Sequence, residues 1–292
     1  MRIAGVDIGG GTLKAGIFDT VRGLVHCESF PTPKGDPEKI VRLVCDFVGE
    51  MGAQRLGVGT AGSVNARTGL VYAGNLHWKG VPLRGMLQEA LNIPVWVDND
   101  AQAALMAEAY DGVCKGFHDV IYLTLGTGIG GAALINGKPW RGYNYTALEL
   151  GHMVTHADGL PCVCTRVGCF EMYASAQALS RMADGLPPEK VLQAVQAGDA
   201  AMTLVFAQYL HELAVGLVSV ISIFNPERIV LGGGLSKAGS ILLTGVREEV
   251  ARLLRNRPEF FEGDIVLSVH QNEGGMIGAA VLANLYGLDE PV

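Results

Sequence analysis

The sequence lacks the features that mark nucleic-acid-binding, secreted and membrane-spanning proteins. Its 22 basic residues are outnumbered by 29 acidic ones, for a net charge of −7, and no cluster of Lys and Arg could form a basic surface. The longest nearly apolar run, 213–224, is about twelve residues long, whereas crossing a bilayer takes roughly 20. Asp7 interrupts the apolar N-terminal stretch too early for a signal peptide. We therefore predict a cytoplasmic protein that binds neither nucleic acid nor a membrane.

Two common nucleotide-binding signatures are also missing. The sequence contains no GxxxxGKS/T loop and no complete GxGxxG pattern followed by an acidic residue. What it has is an excess of glycine, 40 of 292 residues, which is about twice the usual share. No Gly-X-Y period accompanies this excess, so a collagen helix is excluded. Since 49 % of the residues are hydrophobic, the chain can bury a sizeable core.

One pattern occurs twice along the chain. An apolar strand, a glycine turn and a second apolar strand occupy 3–18, and the same succession returns at 121–135. Helical periodicity follows each copy, at positions that include 36–51, 100–110, 171–183 and 200–224. The repetition predicts a duplicated α/β unit with a cleft between its halves.

Three of the glycine clusters have the form of turns that bind a nucleotide. They are Asp7-Ile8-Gly9-Gly10-Gly11-Thr12, Leu125-Gly126-Thr127-Gly128-Ile129-Gly130-Gly131 and Gly232-Gly233-Gly234. Backbone N–H groups of the first two can face a phosphate with no side chain in the way, and the third lets a flat adenine or ribose approach the backbone. Asp7, at a strand end, is placed to hold Mg²⁺. One such cluster is usually an ordinary turn, but three in one chain favour nucleotide binding.

A second group of residues, Asp98-Asn99-Asp100, lies where a strand should end and a helix should begin. Asp100 can be the N-cap of that helix, accepting hydrogen bonds from its first N–H groups. It can also be a general base that takes the proton of a substrate hydroxyl as the oxygen attacks a γ-phosphate. Both roles stay open at this point. Asp98 is interpreted as a solvated charge at the strand end.

The third group has the spacing of a metal site. His152, Cys162, Cys164 and Cys169 form the pattern H-x9-C-x-C-x4-C, and a Cys₃His set is a usual tetrahedral zinc shell with no open position for catalysis. The alternative is three free thiols. Zinc would orient the neighbouring Glu149 and Glu171, whose carboxylates could accept hydrogen bonds from sugar hydroxyls. The remaining cysteines, Cys27, Cys45 and Cys114, are predicted to be inert buried thiols.

These motifs resemble the ROK family of bacterial sugar kinases, and the resemblance runs from Asp7 to about Ala283. The matching segments are Asp7–Lys14, Gly59–Asn65, Asn75–Trp78, Asn99–Ala101, Glu149–His152, Cys162–Glu171, Asn225–Gly234 and Gly275–Ala280. Four residues depart from the family pattern: Gly11, Ala61, Asn65 and Thr165 stand where threonine, proline, aspartate and glycine are usual. These departures leave the sugar and the catalytic efficiency open.

The resemblance implies an α/β fold of the actin-like ATPase class (hexokinase type), with two α/β domains around a central cleft. Residues 1–112 and the C-terminal helix 275–290 would form a small domain with the first phosphate motif and the catalytic aspartate. Residues 113–274 would form a larger domain with the zinc motif, the second phosphate motif and the adenosine motif.

The implied function is transfer of the γ-phosphate of ATP to the 6-hydroxyl of a hexose, glucose first, with Mg²⁺ and structural Zn²⁺ bound. An N-acetylmannosamine or fructose kinase is the alternative within the family, and a homodimer is expected. The alternative of another class is a non-catalytic sugar-sensing transcriptional regulator. Such regulators carry an N-terminal helix-turn-helix, for which the position of Asp7 is expected to leave no room.

The residue roles that follow are predictions. Asp100 is the catalytic base. The sugar would be contacted by Gly62, Asn99, Asp100, Glu149, His152 and Glu171. The nucleotide and its Mg²⁺ would be bound by Asp7, Gly9, Gly10, Gly11, Thr12, Thr127, Gly128, Gly130, Gly131, Gly233 and Gly234. Zinc would be held by His152, Cys162, Cys164 and Cys169.

Overall fold

The computed structural model describes residues 1–286, which alternate between strands and helices. The strands are β1 (Arg2–Ile8), β2 (Thr12–Asp19), β3 (Gly23–Pro31), β4 (Arg55–Thr60), β5 (Ser63–Asn65), β6 (Leu70–Ala73), β7 (Trp78–Pro82), β8 (Val95–Asn99), β9 (Val120–Leu125), β10 (Ile129–Ile135), β11 (Lys138–Trp140), β12 (Arg228–Gly232) and β13 (Asp264–Leu267). The helices are α1 (Pro37–Met51), α2 (Leu83–Leu91), α3 (Asp100–Asp111), α4 (Glu171–Ala174), α5 (Ala176–Met182), α6 (Pro188–Gln196), α7 (Ala200–Phe224), α8 (Ser240–Leu253) and α9 (Gly274–Tyr286).

The chain forms two units. The first contains Met1–Gly116, Pro139–Ala147 and residues 272–286, and the second contains Phe117–Lys138 and Leu148–Gln271. The sequence placed all of 113–274 together, whereas Pro139–Ala147 belongs with the first unit. The part of the predicted C-terminal helix at 287–290 lies outside the described residues.

The first unit is built on a mixed sheet in the order β3-β2-β1-β4-β8. β1 is antiparallel to β2 and parallel to β4, and β4 is parallel to β8. The register places Asp7, Gly59 and Asp98 in one row across three strands. This row lies one residue before the carboxyl ends of β1, β4 and β8, so two carboxylates and a glycine lie together at that end of the sheet.

The second unit repeats that arrangement, as the duplicated sequence pattern predicts. β9 is antiparallel to β10 and parallel to β12, and β12 is parallel to β13. The row that corresponds to Asp7 and Gly59 holds Thr124 and Gly232. Hence the acidic side chain of the first sheet has a threonine as its counterpart in the second.

Local sequence explains why the helices begin where they do. The Asp36 side chain accepts a hydrogen bond from the N–H of Lys39, Pro37 occupies the first turn, and Gly52 ends α1 in the left-handed conformation. The apolar residues of α1 are buried against the sheet, as their spacing predicts. Capping and periodicity therefore agree with the observed helix.

Helix α7 is long and apolar enough to cross a membrane by length and composition alone. It packs in the core of the second unit, where Phe206, Tyr209, Leu213, Leu217 and Ile221 are buried. A helix with this much of its surface inside a folded unit behaves as a core helix.

A small antiparallel sheet, β5-β6-β7, is a feature that the sequence did not predict. Its strands have only three to five residues, too few to show a clear alternation. This sheet follows the turn at Gly62 and carries Asn65, so it belongs to the predicted sugar-binding region of the first unit.

Candidate active site

The first glycine turn joins β1 to β2 and brings several polar groups together. The Gly9 N–H donates to the Thr12 carbonyl at 3.0 Å, and the Thr32 hydroxyl donates to the Gly9 carbonyl at 2.8 Å. A Cβ on Gly10 would meet the Asn75 amide at 3.0 Å, whereas one on Gly11 would meet nothing within 4 Å. The turn is thus closed on one side by Asn75 and open at Gly11.

Asp7 lies directly below this turn, against the start of α9. A Cβ on Gly275 would lie 2.7 Å from the Asp7 carboxylate, so the close approach requires glycine there. Burial raises the pKa of Asp7 to about 6, although the charge of the neighbouring Lys14 opposes this. A bound cation would restore the ionised form, which makes Asp7 a suitable place for Mg²⁺.

The end of β8 and the start of α3 hold the second group. The Asn99 side chain accepts hydrogen bonds from the N–H groups of Ala101 at 2.9 Å and Gln102 at 3.4 Å, so Asn99 is the N-cap of α3. Asp100 is the first helical residue, and its Oδ1 accepts from the Ala101 N–H at 2.8 Å. Of the two roles left open for Asp100, the N-cap belongs to its neighbour.

Gly62 is tied to this helix start. Its carbonyl accepts a hydrogen bond from the Asn99 side-chain amide at 2.9 Å. Its φ is +102°, and a Cβ would lie 2.4 Å from the Tyr72 carbonyl oxygen, so no other residue fits without a shift of the backbone. The first unit therefore brings Gly62, Asn99 and Asp100 together.

The interpretation of Asp98 as a solvated charge is wrong. Asp98 is 2 % exposed and is bonded to Arg141, which is 8 % exposed. Arg141 lies more than forty residues away in the chain, and no local pattern connects the two. Long-range pairing of this kind leaves no trace in a single sequence.

The second glycine turn joins β9 to β10. The Gly126 N–H donates to the Gly128 carbonyl at 3.0 Å, and the Gly126 carbonyl accepts from the Ala176 N–H at 2.8 Å. The exposed Thr127 lies at the tip between them. A Cβ on Gly128 would lie 2.4 Å from the Glu171 carboxylate, so Glu171 packs directly against this turn.

Gly130 and Gly131 lie in β10 itself. The Gly130 N–H donates to the Thr124 hydroxyl at 3.0 Å. A Cβ on Gly131 would come within 2.5 Å of the Leu148 carbonyl and of the Leu150 side chain. Gly131 therefore has a structural reason of its own, in addition to the predicted contact with nucleotide.

The contact between Gly126 and Ala176 depends on a break that the sequence did not predict. The sequence indicated one helix over 171–183, but Ser175 is extended (φ −83°, ψ 169°) and caps α5 through its hydroxyl. The helix is therefore divided into α4 and α5. The break frees the Ala176 N–H for the glycine turn.

The third glycine cluster follows β12. Gly233 has φ +81°, and a Cβ there would lie 2.7 Å from backbone atoms of Leu125, so the turn approaches the second phosphate motif closely. A cavity of about 260 Å³ adjoins Gly234 and is lined by apolar and polar side chains, among them Leu192, Leu235, Gln193 and Lys237. Its walls of Leu and Gln suit a flat heteroaromatic base, and the α6 residues were not foreseen from the sequence.

The four predicted zinc ligands converge. One ligand atom from each of His152, Cys162, Cys164 and Cys169 lies within 4.8 Å of all the others. A tetrahedral zinc with Zn–S bonds of about 2.3 Å holds its ligands at separations of this order. Burial opposes ionisation of Cys164, but hydrogen bonds from the backbone and side chain of Arg166 outweigh it and lower the pKa of Cys164 to about 6. The donor set therefore fits zinc in number, type and spacing.

Glu149 and Glu171 border this cluster. Glu171 Oε1 lies 3.4 Å from His152 Nδ1 and 3.1 Å from Cys162 Sγ. Partial burial, with the like charge of Glu171, raises the pKa of Glu149, and the charge of His152 lowers it. The second unit thus places both carboxylates beside the four predicted metal ligands.

Two repeated sheets, glycine turns with an adjoining cavity and a carboxylate at a helix start define an α/β protein of the actin-like ATPase class. The ROK family model matches residues 3–285, and the chain belongs to the ROK family.

Among its relatives, a glucokinase of Streptomyces coelicolor is 33 % identical over 306 residues, which cover 96 % of each chain. An N-acetyl-D-glucosamine kinase of Citrobacter koseri is 33 % identical over 299 residues, covering 95 % of this chain and 98 % of the relative. Among solved structures, a ROK glucokinase from Streptomyces griseus in complex with glucose and AMPPNP has a TM-score of 0.86 at 32 % identity, covering 98 % of this chain and all of that one.

Proposed function

We propose that this protein is an ATP-dependent hexose kinase that transfers the γ-phosphate of ATP to the 6-hydroxyl of glucose. The observation that carries the proposal is the helix start at Asp100. Asn99 caps α3, and Asp100, as the first residue of that helix, places a carboxylate at the end of strand β8. The similarity to glucokinases along nearly the whole chain supports the same activity.

Asp100 would act as the general base. Asp100 lies in the first turn of α3, where the helix dipole interacts favourably with a negative charge. As the sugar hydroxyl attacks the γ-phosphate, Asp100 would take its proton. Asn99 and Gly62, joined by their hydrogen bond, would hold the sugar beside it.

The glycine turns would bind the nucleotide. In the first unit, Gly9, Gly10, Gly11 and Thr12 would face phosphate through backbone N–H groups, and Asp7 would hold Mg²⁺, which supplies charge neutralisation for the phosphates. In the second unit, Thr127, Gly128, Gly130 and Gly131 would do the same. Gly233 and Gly234 would receive the adenosine beside the 260 Å³ cavity.

Zinc would be structural. With His152, Cys162, Cys164 and Cys169 all bound, it has no open position, so it fixes the loop that carries Glu149 and Glu171. These two carboxylates would then accept hydrogen bonds from the sugar, and His152, with one ring nitrogen on zinc, would donate one from the N–H of the other. The loop needs such a brace because it contains little regular structure between Leu150 and Glu171.

A second sugar is favoured by one observation. The N-acetyl-D-glucosamine kinase is as similar to this chain as the glucokinase is, at 33 % identity. The departures at Ala61 and Asn65 lie next to Gly62, where they could change which sugar fits. N-acetyl-D-glucosamine therefore stands as the alternative substrate, beside N-acetylmannosamine and fructose.

The test is an assay of ADP release with ATP and Mg²⁺ across these sugars and mannose. We expect the highest kcat/KM with glucose and no ADP release without sugar. A higher kcat/KM with N-acetyl-D-glucosamine would mean that this sugar is the preferred substrate of the same phosphoryl transfer. An absence of sugar-dependent ADP release would contradict the proposed function. Light scattering on the same preparation tests the expected homodimer, and cell fractionation tests the expected cytoplasmic location.

A further inference from the structure

The buried pair of Asp98 and Arg141 has a geometry that goes beyond charge neutralisation. Arg141 donates to Asp98 Oδ2 twice, from Nε at 2.9 Å and from Nη2 at 2.6 Å, and Trp96 Nε1 lies 3.3 Å from the same oxygen. The other oxygen, Oδ1, accepts the backbone N–H of Asn99 at 2.9 Å. One side of the carboxylate is thus fixed by Arg141, and the other holds the residue before Asp100.

Such a pair is a poor way to gain stability. Removing two charges from water is costly, and buried ion pairs can often be replaced by apolar residues without loss of stability. We therefore look for a role of this buried pair in positioning the proposed catalytic residue beside it. The pair connects two parts of the chain, the start of α3 and the 139–147 segment.

On one side, the pair acts on the helix start. Asp98 holds the Asn99 backbone, while the Asn99 side chain caps α3 and bonds to Gly62. Every one of these bonds limits where the next residue, Asp100, can place its carboxylate. Arg141 is the group that fixes Asp98 itself.

On the other side, the pair anchors the 139–147 segment. Asn65 donates to the Asn144 carbonyl at 3.2 Å, and the Arg67 guanidinium lies 5.6 Å from the centre of the Tyr145 ring. The segment is therefore bonded to β8 at one end and to the β5 region at the other. The chain then continues directly into Glu149.

We propose that Asp98 and Arg141 are a positioning pair that sets the Asp100 carboxylate and the Gly62 turn for phosphoryl transfer. The proposal rests on the proposed kinase function. Neither residue touches the reacting atoms; Arg141 orients Asp98, and Asp98 orients Asn99. A displacement of the base by about 1 Å can cost on the order of 100-fold in rate, so the pair can matter without contacting substrate.

The test compares two Arg–Asp ion pairs, one buried and one partly exposed. Arg228 and Asp264 also form a two-point pair, with bonds of 2.7 and 2.8 Å, but they lie at the starts of β12 and β13, at the opposite end of the strands from Gly232. Asp98→Ala/Arg141→Met removes both buried charges at once, and Asp264→Asn is the control. Thermal unfolding, kcat, both KM values and amide hydrogen exchange are measured for each variant.

We expect the double variant to melt near the wild type, with kcat lowered about 10- to 100-fold, a raised KM for the sugar and an unchanged KM for ATP. Amides 99–102 should exchange at least about tenfold faster, because Asn99 loses its acceptor. Asp264→Asn should leave kcat and these amides unchanged. Wild-type kcat and wild-type exchange in a folded double variant would overturn the proposal.

Two further outcomes are decided by the same measurements. If the double variant does not fold, Asp98→Asn, which keeps the shape and removes the charge, takes its place. We expect kcat to fall again, with a smaller rise in amide exchange, because the asparagine oxygen can still accept the Asn99 N–H, and wild-type kcat in this variant would overturn the proposal. If the wild type itself shows no sugar-dependent ADP release, the kinase function fails. Faster exchange of amides 99–102 in the double variant than in Asp264→Asn would then still support the positioning role of Asp98 and Arg141, and equal exchange would contradict it.

Discussion

The central strands of the two sheets, β2-β1-β4 and β10-β9-β12, have the same order and directions, yet the ends of these strands carry different side chains. In the first sheet the row across the strands is Asp7, Gly59 and Asp98, and in the second the corresponding residues are Thr124 and Gly232. Asp7 packs against the start of α9, whereas the Thr124 hydroxyl accepts a hydrogen bond from Gly130 in its own hairpin. The row across the strands thus carries two carboxylates in the first unit and the neutral residues Thr124 and Gly232 in the second. Chemistry depends on the side chains at the strand ends and not on the sheet.

The units also differ in how they fix their polar groups. The first uses hydrogen bonds from a strand end and a helix start, which are regular structure. The second presents Glu149 from the turn before Leu150 and Glu171 from the first residue of the short helix α4, beside the four predicted metal ligands. The segment between the two carboxylates contains little regular structure, so a bonded metal centre would hold it in place.

The largest effect should come from the first unit. Asp100→Asn removes the proton acceptor and keeps its shape, so we expect kcat to fall by about 10³-fold with little change in thermal unfolding. Sugar binding, followed by calorimetry, should persist. Asp111→Asn, at the other end of α3, is the matched control. Near-normal turnover of Asp100→Asn would exclude the base role.

In the second unit the corresponding test removes one of the predicted zinc ligands. Cys164→Ser should reduce bound zinc from about one per chain to well below that and destabilise the fold by several kcal/mol, because structural zinc contributes folding free energy. Elemental analysis and thermal unfolding measure both. Of the three cysteines predicted to be buried, only Cys114 is; Cys27 is exposed because it lies on the edge strand β3. Cys27→Ser should therefore change neither. Folded, active wild-type protein without zinc would contradict the metal assignment.

Asp7, in the row of Asp7, Gly59 and Asp98, should make the free energy of unfolding depend on pH. Its pKa is raised to about 6 in the folded protein, against about 3.9 for an ordinary Asp. The stabilising contribution is therefore fully present below about pH 4 and lost as the pH rises through about 6. At pH 8 the buried charge costs about 3 kcal/mol.

Asp7→Asn should accordingly raise the free energy of unfolding at pH 8 by up to about 3 kcal/mol and change it little at pH 4. Its KM for MgATP should rise, since the proposed Mg²⁺ ligand is gone. Urea unfolding at the two pH values measures the first effect. A stability difference that is the same at both would show that Asp7 does not carry this charge penalty.

The smallest effects separate two glycines of the first unit. Gly62→Ala puts a Cβ 2.4 Å from the Tyr72 carbonyl at φ +102°, so we expect a loss of about 2 kcal/mol in stability and a raised sugar KM. Gly11→Ala meets nothing within 4 Å, so its stability should change by less than about 0.5 kcal/mol. Equal effects in thermal unfolding and kinetics would mean that the Gly62 turn is not a fixed element.

Periodicity and capping predicted the long elements well, since they are encoded by neighbouring residues. Helix α7 begins and ends as predicted, α3 begins at the predicted Asp100, and α1 is capped by Asp36. The three short strands β5 to β7 and the break at Ser175 were missed. They depend on contacts with distant parts of the chain, such as Ala176 with Gly126, which override the local preference for a continuous helix.

The candidate site divides in the same way. The sequence determined by itself the glycine clusters, the metal ligands and the aspartate at a helix start, because their spacing along the chain is their signal. Only the tertiary structure decided that Asn99 is the cap, that Asp7 corresponds to Thr124, and that Asp98 is buried against Arg141. The physical reason is that register and burial depend on which strands and segments become neighbours, and a carboxylate in the sequence is the same whether water or an arginine finally surrounds it.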